Sequence, residues 1–142
     1  MTTFLLQFDG GSRGNPGIGG SGSVLYQRVL NQPAEEIWSD FYYLGPYCTN
    51  NQAEYTGLLR GLEEVVRRGI QRLHVQGDSL LVIRQMQGKY QCRATILQEL
   101  YQQCLVFTQH IPFITFEHIP RSLNVRADML SNQGMDQKEK HS

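Results

Sequence analysis

Residues 50–78 read NNQAEYTGLLRGLEEVVRRGIQRLHVQGD, and a change of period inside this stretch decides the fold. Leu58, Leu62, Val65 and Val66 form one apolar stripe with Ala53 and Leu59 beside it, the spacing of an amphipathic helix. Glu63 and Glu64 stand four residues before Arg67 and Arg68, the charge order that supports a helix. Asn50 or Asn51 can act as N-cap, and Gly69 as the stop. Arg72–Gln76 then reads as a short buried strand carried by Leu73 and Val75. It ends at Gly77-Asp78-Ser79, where Asp78 or Ser79 can cap a second helix running through Met86. Helix, strand, helix after an opening strand implies a parallel crossover.

Upstream, residues 3–9 read as a strand opening into the glycine-rich turn DGGSRGNPGIGG. A second strand is expected at Gly20–Gln27 and a third at Glu36–Leu44, giving two antiparallel hairpins. Downstream, Ala94–Gln109 has the pattern of an amphipathic helix, Pro112–His118 of a strand, and Leu123–Ser131 of a last helix. The expected class is therefore α/β. Gln133–Ser142 is polar with alternating charges, so residues 1–132 are expected to form the domain and 133–142 a flexible tail.

A chain of 142 residues, 40% of them hydrophobic, can bury a core without disulfides or structural metal. Cys48, Cys92 and Cys104 are odd in number and lack C-x-x-C spacing, which fits reduced thiols. The apolar run Phe4–Phe8 is far too short for a signal peptide or a membrane span, so a soluble, intracellular monomer is expected, cytoplasmic or, in a eukaryote, nuclear. Thirteen basic and 13 acidic residues give a net charge of zero, which by itself promises no strong pull on a polyanion. If four acids are committed to metal, the remaining surface is net basic.

Four acids stand out by position. Asp9 ends the first strand, Glu54 lies in the first turn of the long helix, Asp78 ends the fourth strand, and Asp128 lies on the last helix. Carboxyl ends of neighbouring strands gather at one edge of an open α/β sheet, so Asp9 and Asp78 converge if their strands are adjacent. Clustered carboxylates repel unless cations sit among them, and hard oxygen ligands favour magnesium or manganese. Two such ions roughly 4 Å apart can serve both sides of a phosphodiester. Taken singly, each acid also has a plainer role. Asp9 can be a turn former, Glu54 a solvated acid favoured by the helix dipole, Asp78 a cap, and Asp128 an exposed helical acid. The sequence carries no catalytic-triad arrangement, no P-loop and no dinucleotide glycine signature.

The segments FDGGSRGNPGIGG, TNNQAEYTGLLRGL, VQGDSLLVIRQMQGKY and HIPRSLNVRADMLSN resemble, in order and spacing, the type-one ribonuclease H family. Asp-Gly-x-Ser with Asn-Pro-Gly, Asn-x-x-Ala-Glu, Gly-Asp-Ser and Asn-x-x-Ala-Asp are separate motifs, so the resemblance is specific and covers almost the whole chain. It implies a five-stranded mixed sheet flanked by helices. It also implies a two-metal site of Asp9, Glu54, Asp78 and Asp128, holding magnesium with manganese as a possible substitute, that hydrolyses the RNA strand of an RNA–DNA hybrid. By position, Gly11, Ser12, Arg13, Asn15, Asn50, Asn51 and Gln52 resemble RNA-strand contacts and Thr49 a DNA-strand phosphate contact. Amides that donate and accept suit a 2'-hydroxyl. Asn15 and Asn50 can equally serve as local turn and cap residues.

The chain departs from the better-known bacterial members twice. Between Gln87 and Thr95, where those enzymes carry a helix and a lysine-rich handle, there is only GKYQCRA. Lys89, Tyr90 and Arg93 remain as candidate DNA-strand contacts, and modest hybrid affinity is expected. Before Asp128 the glycine-histidine loop is shortened, as in archaeal-type and some retroelement-associated forms. Arg121 stands nearest the missing histidine and can neutralise a scissile phosphate, though it cannot shuttle protons near neutral pH. His118 reads as the end of the fifth strand. The rival readings are a binding-only hybrid module and a related nuclease acting on double-stranded RNA or as an integrase.

Overall fold

The computed structural model of the chain describes the backbone of residues 1–141 and the side chains of residues 1–137. Strands β1 (Thr2–Arg13), β2 (Gly17–Val29) and β3 (Glu35–Cys48) form the two expected hairpins. Helix α1 (Asn50–Arg67) leads to β4 (Arg72–Gly77), α2 (Leu80–Met86), α3 (Thr95–Thr108) and β5 (Phe113–His118). A 3-10 turn at Arg121–Leu123 then precedes α4 (Val125–His141). The sheet order is β3-β2-β1-β4-β5, with β4 parallel to both β1 and β5. This is the five-stranded mixed sheet that the resemblance implied, with the parallel β1–β4 pair that the crossover implied.

The core explains the order. Leu6 and Phe8 of β1 and Leu73 and Val75 of β4 point to one side of the sheet, where the apolar stripe of α1 (Leu58, Leu62, Val65) covers them together with Val82 and Ile83 of α2. Period-2 alternation sends the intervening residues to the other side. There Gln7 Nε2 donates to Gln76 Oε1 and Gln76 Nε2 to Glu117 Oε1, each at 2.8 Å. No helix among the described residues is long and apolar enough to cross a membrane.

On that second side α4 lies over β2, and glycine makes it possible. A Cβ on Gly22 would come within 2.6 Å of the Leu130 Cβ and the Ser131 nitrogen, and one on Gly20 within 2.7 Å of the Met135 Cγ. A strand without side chains here lets the helix settle on the sheet almost backbone to backbone, with Val24, Ala127 and Leu130 forming a small second core.

Three expectations need correction. The segment from Gln133 is not a polar tail, because α4 continues through His141 and buries Gly134 and Met135 against the glycine-rich strand; Ser142 lies outside the described residues. The glycine-rich segment after Asp9 is mostly strand, since β1 runs to Arg13 and β2 restarts at Gly17, leaving only residues 14–16 as the turn. The N-cap of α1 is neither Asn50 nor Asn51 but Thr49, whose hydroxyl accepts from Gln52 N–H while the Gln52 side chain accepts from Thr49 N–H, a reciprocal capping box.

Candidate active site

β1 and β4 are adjacent in register Phe8 to Gly77, so Asp9, still within β1, and Asp78, just past the end of β4, stand side by side. Glu54 reaches them because α1 passes unusually close to β1. A Cβ at Gly10 would collide with the Ala53 carbonyl carbon and the Glu54 nitrogen, so only glycine allows this approach. Carboxylate oxygens of Asp9, Glu54 and Asp78 consequently lie within 4.8 Å of one another. Asp128, one turn into α4, lines the same cleft, and its Oδ1 accepts from Arg121 Nη2 at 3.4 Å.

The plainer roles fit Asp9, Glu54 and Asp78 poorly. Asp9 and Glu54 are only 5% and 8% exposed, too buried for a simple turn former or a solvated helix acid. The cap of α2 is Ser79, whose hydroxyl accepts from Val82 N–H, so the Asp78 carboxylate is not used as the cap. Burial, then the Asp78 charge, pushes the Asp9 carboxyl up to about 7. Glu54 is raised well above the ordinary carboxylate range by burial and then by the charges of Asp9 and Asp78. Asp78 is raised by burial, with Arg121 pulling the other way and Asp128 adding to the rise. Oε2 of Glu54 is buried with no hydrogen-bond partner. An orphaned acceptor among mutually repelling oxygens, with no thiol or imidazole in the cluster, is a donor set that could hold a hard divalent cation.

Most of the other expected site residues gather around this cleft. Gly11, Ser12, Arg13, Asn50, His118 and Arg121 line it. Asn50 ties the cleft to the β1–β2 turn, its Oδ1 accepting from Ser12 N–H at 2.9 Å and Ser12 O–H at 3.1 Å, while its own N–H donates to Asn15 Oδ1 at 3.1 Å. Asn15, Thr49, Asn50 and Asn51 also line an adjoining groove against Ala94, Ile96 and Leu97 at the start of α3. Gln52 is engaged in the capping box. Lys89 and Tyr90 are exposed on the segment between α2 and α3, outside the set lining the acidic cleft. His118 Nε2 donates to the Asp78 carbonyl at 3.2 Å, so its ring braces the segment that carries Asp78.

Two features of the cleft were not read from the sequence. The fully buried Asn124 donates from Nδ2 to the Phe8 carbonyl at 2.8 Å, and its own carbonyl accepts from Asp128 N–H at 3.0 Å. One residue thus joins the middle of β1, next to Asp9, to the first turn of α4, fixing Asp9 relative to Asp128. The second is the wall formed by Ser131, Asn132 and Met135. With Asp128 they make an i, i+3, i+4, i+7 set, a helical face that becomes visible only when α4 is carried past Ser131.

Similarity to known proteins follows this geometry. Residues 7–134 match the family model described as reverse transcriptase-like. The chain is 37% identical over 136 residues to the bifunctional protein Rv2228c of Mycobacterium tuberculosis, covering 93% of this chain and 35% of that protein. The solved N-terminal RNase H domain of Rv2228c superimposes with a TM-score of 0.90 at 34% identity, covering 99% of both chains. LC11-RNase H1, solved in complex with an RNA/DNA hybrid, matches with a TM-score of 0.84 at 34% identity over 96% of this chain and 99% of that one. The fold and site define a ribonuclease H-like α/β domain, and the chain belongs to the ribonuclease H family. It spans about a third of the length of the mycobacterial relatives it matches.

Proposed function

We propose that this chain is an endonuclease that hydrolyses the RNA strand of RNA–DNA hybrids, leaving a 3'-hydroxyl and a 5'-phosphate. The observation that carries the reading is the packing of Asp9, Glu54 and Asp78 within 4.8 Å around an unpartnered buried oxygen, in a cleft walled by Gly11, Ser12, Arg13 and Asn50. The similar LC11-RNase H1 binds an RNA/DNA hybrid, which supports the same class of substrate here.

Asp9, Glu54, Asp78 and Asp128 would hold magnesium, or manganese in its place. Bound ions supply the positive charge that activates a water and stabilises the leaving 3'-oxygen. The residues of the chain do the rest. Ser12, Arg13, Asn15, Asn50, Asn51 and Gln52 receive the RNA strand, where hydroxyl and amide groups can test for a 2'-hydroxyl. Thr49 faces a phosphate of the DNA strand: its oxygen accepts from Gln52 N–H, but its O–H is still able to donate. Lys89 and Tyr90 extend the DNA-strand contact. Arg121, beside Asp128, places a fixed cation over the scissile phosphate.

The test is cleavage of RNA–DNA, RNA–RNA and DNA–DNA duplexes of one sequence, with magnesium and with chelator. Cleavage confined to the RNA strand of the hybrid and abolished by chelation is expected. Cleavage of duplex RNA or duplex DNA at equal rates would replace this reading with a broader nuclease.

A further inference from the structure

Of the four buried residues of α2, Val82, Ile83 and Met86 are apolar and Gln85 is not. An amide only 3% exposed costs stability unless its polar atoms are bonded, and here both are. The Tyr55 hydroxyl donates to Gln85 Oε1, and Gln85 Nε2 donates to the Gln91 carbonyl at 3.2 Å. One orientation of the amide satisfies both partners, since a backbone carbonyl can only accept. Burial raises the Tyr55 hydroxyl far above its ordinary pKa, which keeps it protonated as the donor that starts this chain of bonds. The Tyr55 ring meets Tyr101 of α3 edge to face, with centroids 6.3 Å apart.

These bonds cross three parts of the molecule. Tyr55 follows Glu54 on α1, Gln85 lies in the last turn of α2, and Gln91 lies in the segment 88–94 that joins α2 to α3 without regular structure of its own. At the start of that segment the N–H groups of Lys89 and Tyr90 both donate to the Arg84 carbonyl, at 2.9 and 3.2 Å. Past Tyr90 the backbone is held at Gln91 by the Gln85 amide and at Cys92 by a long bond of 3.5 Å from Gln98 Nε2.

We infer that Gln85 is a positioning residue for hybrid binding: linked to α1 through Tyr55, it holds the segment that carries the exposed Lys89 and Tyr90 at a fixed place relative to the acidic cleft. The inference rests on the proposed function in taking Lys89 and Tyr90 as contacts to the DNA strand. Gln85 is buried and out of reach of either strand, so it acts through the segment alone. A segment ordered before the duplex arrives loses less freedom on binding, and the tie therefore bears on affinity and not on the chemical step.

The experiment measures hybrid binding and cleavage separately. Gln85→Met keeps the side-chain length and removes both bonds, but it strands the buried Tyr55 hydroxyl; adding Tyr55→Phe removes that orphan as well. Binding is read by fluorescence anisotropy with a short labelled RNA–DNA hybrid, in an Asp78→Asn background that leaves the hybrid intact. Cleavage kinetics in magnesium are read without that substitution. Gln85→Met, with or without Tyr55→Phe, should weaken hybrid binding about three- to tenfold and raise KM while kcat stays within about twofold of the parent. The double variant should regain most of the melting temperature that Gln85→Met loses. Amide hydrogens of residues 88–94 should exchange faster in both variants, and those of α1 at the parent rate. With Lys89→Ala and Tyr90→Ala already in place, Gln85→Met should have no further effect on binding. Unchanged binding overturns the inference. So does a loss that is as large without Lys89 and Tyr90, or one that vanishes when Tyr55→Phe restores stability, since either would make Gln85 a residue of the core and nothing more. Cleavage by the unmodified chain decides the parent reading independently. A chain that binds the hybrid without cutting it, and binds less well as Gln85→Met, keeps this inference and loses the nuclease.

Discussion

The candidate active site has two halves of different construction. Asp9 and Glu54 belong to the core: they lie at the point where α1 crosses β1, held by a glycine that no other residue can replace, and almost closed to solvent. Asp128 and Arg121 belong to a cover. They sit on α4 and the turn before it, with side chains 32% and 78% exposed, on a helix that rests on bare glycine strand. The first half is fixed by the same packing that makes the protein fold, so its geometry cannot drift without loss of stability. The second is adjustable, being tied down chiefly by Asn124 and a small cluster around Val24, Ala127 and Leu130.

The largest effect that tests this contrast is on cleavage. Asp9→Asn and Asp78→Asn should each lower turnover in magnesium by about three orders of magnitude or more, whereas Asp128→Asn should cost roughly ten- to a hundredfold. Equal losses at all three positions, measured with saturating hybrid, would erase the distinction between the halves. The fold of Asp78→Asn should survive, and its metal-free melting temperature should rise slightly because a like-charge repulsion is relieved. Added magnesium should then stabilise the parent more than this variant.

Next in size is Gly10→Ala. The added methyl meets the backbone of α1, which cannot rotate away, so the variant should lose about 3 kcal/mol in denaturant unfolding. A neutral result would mean that α1 can move away from β1 and that the core half is as adjustable as the cover.

Arg121→Ala should leave stability untouched and lower turnover about tenfold more than it weakens hybrid binding, with Arg121→Lys restoring only part because the planar fork is lost. Normal cleavage by Arg121→Ala would reduce the residue to a surface cation.

The smallest effect is on stability against pH without metal. The Asp9 carboxyl is raised from 3.8 to about 7 in the folded protein, so the native state holds a proton that the unfolded chain has already lost. Its favourable contribution is present at low pH and disappears as pH rises through the folded value. Metal-free melting temperature should therefore fall by a few degrees between roughly pH 5 and pH 8, and the fall should be shallower in Asp9→Asn. Magnesium should flatten it, since cation binding displaces that proton. A melting temperature that rises over this range in the metal-free parent would contradict the crowded, proton-holding cluster.

What could be read from the sequence divides along the same line. The core half was legible because helix period, strand ends and acids are local signals: Leu58, Leu62 and Val65 face the sheet as their spacing predicts, and Asp9 and Asp78 meet because a parallel crossover makes their strands neighbours. The cover was not. Helix α4 beyond Ser131 has no apolar stripe to betray it, because it packs through Gly134 and the single buried Met135 against Gly20 rather than through a row of large apolar side chains. The cap at Thr49 was missed for a related reason. Asparagine is a common cap, and only the reciprocal bond with Gln52 decides in favour of the residue before it.

The bridge made by Asn124 also bears on how such a chain can change over time. From Asn124 to Asp128 the distance is one helical turn, closed by a backbone hydrogen bond, so a residue gained or lost there would rotate the carboxylate away from its partners. Between His118 and Asn124 the chain is anchored at buried Ile119, whose N–H donates to the Gly77 carbonyl at 2.9 Å, and then runs over the surface through the exposed residues 120–123, the 3-10 turn and its cap. Insertions and deletions can accumulate in this connection while the acid downstream stays in place. An inserted or deleted residue would therefore cost the site far less before Asn124 than after it.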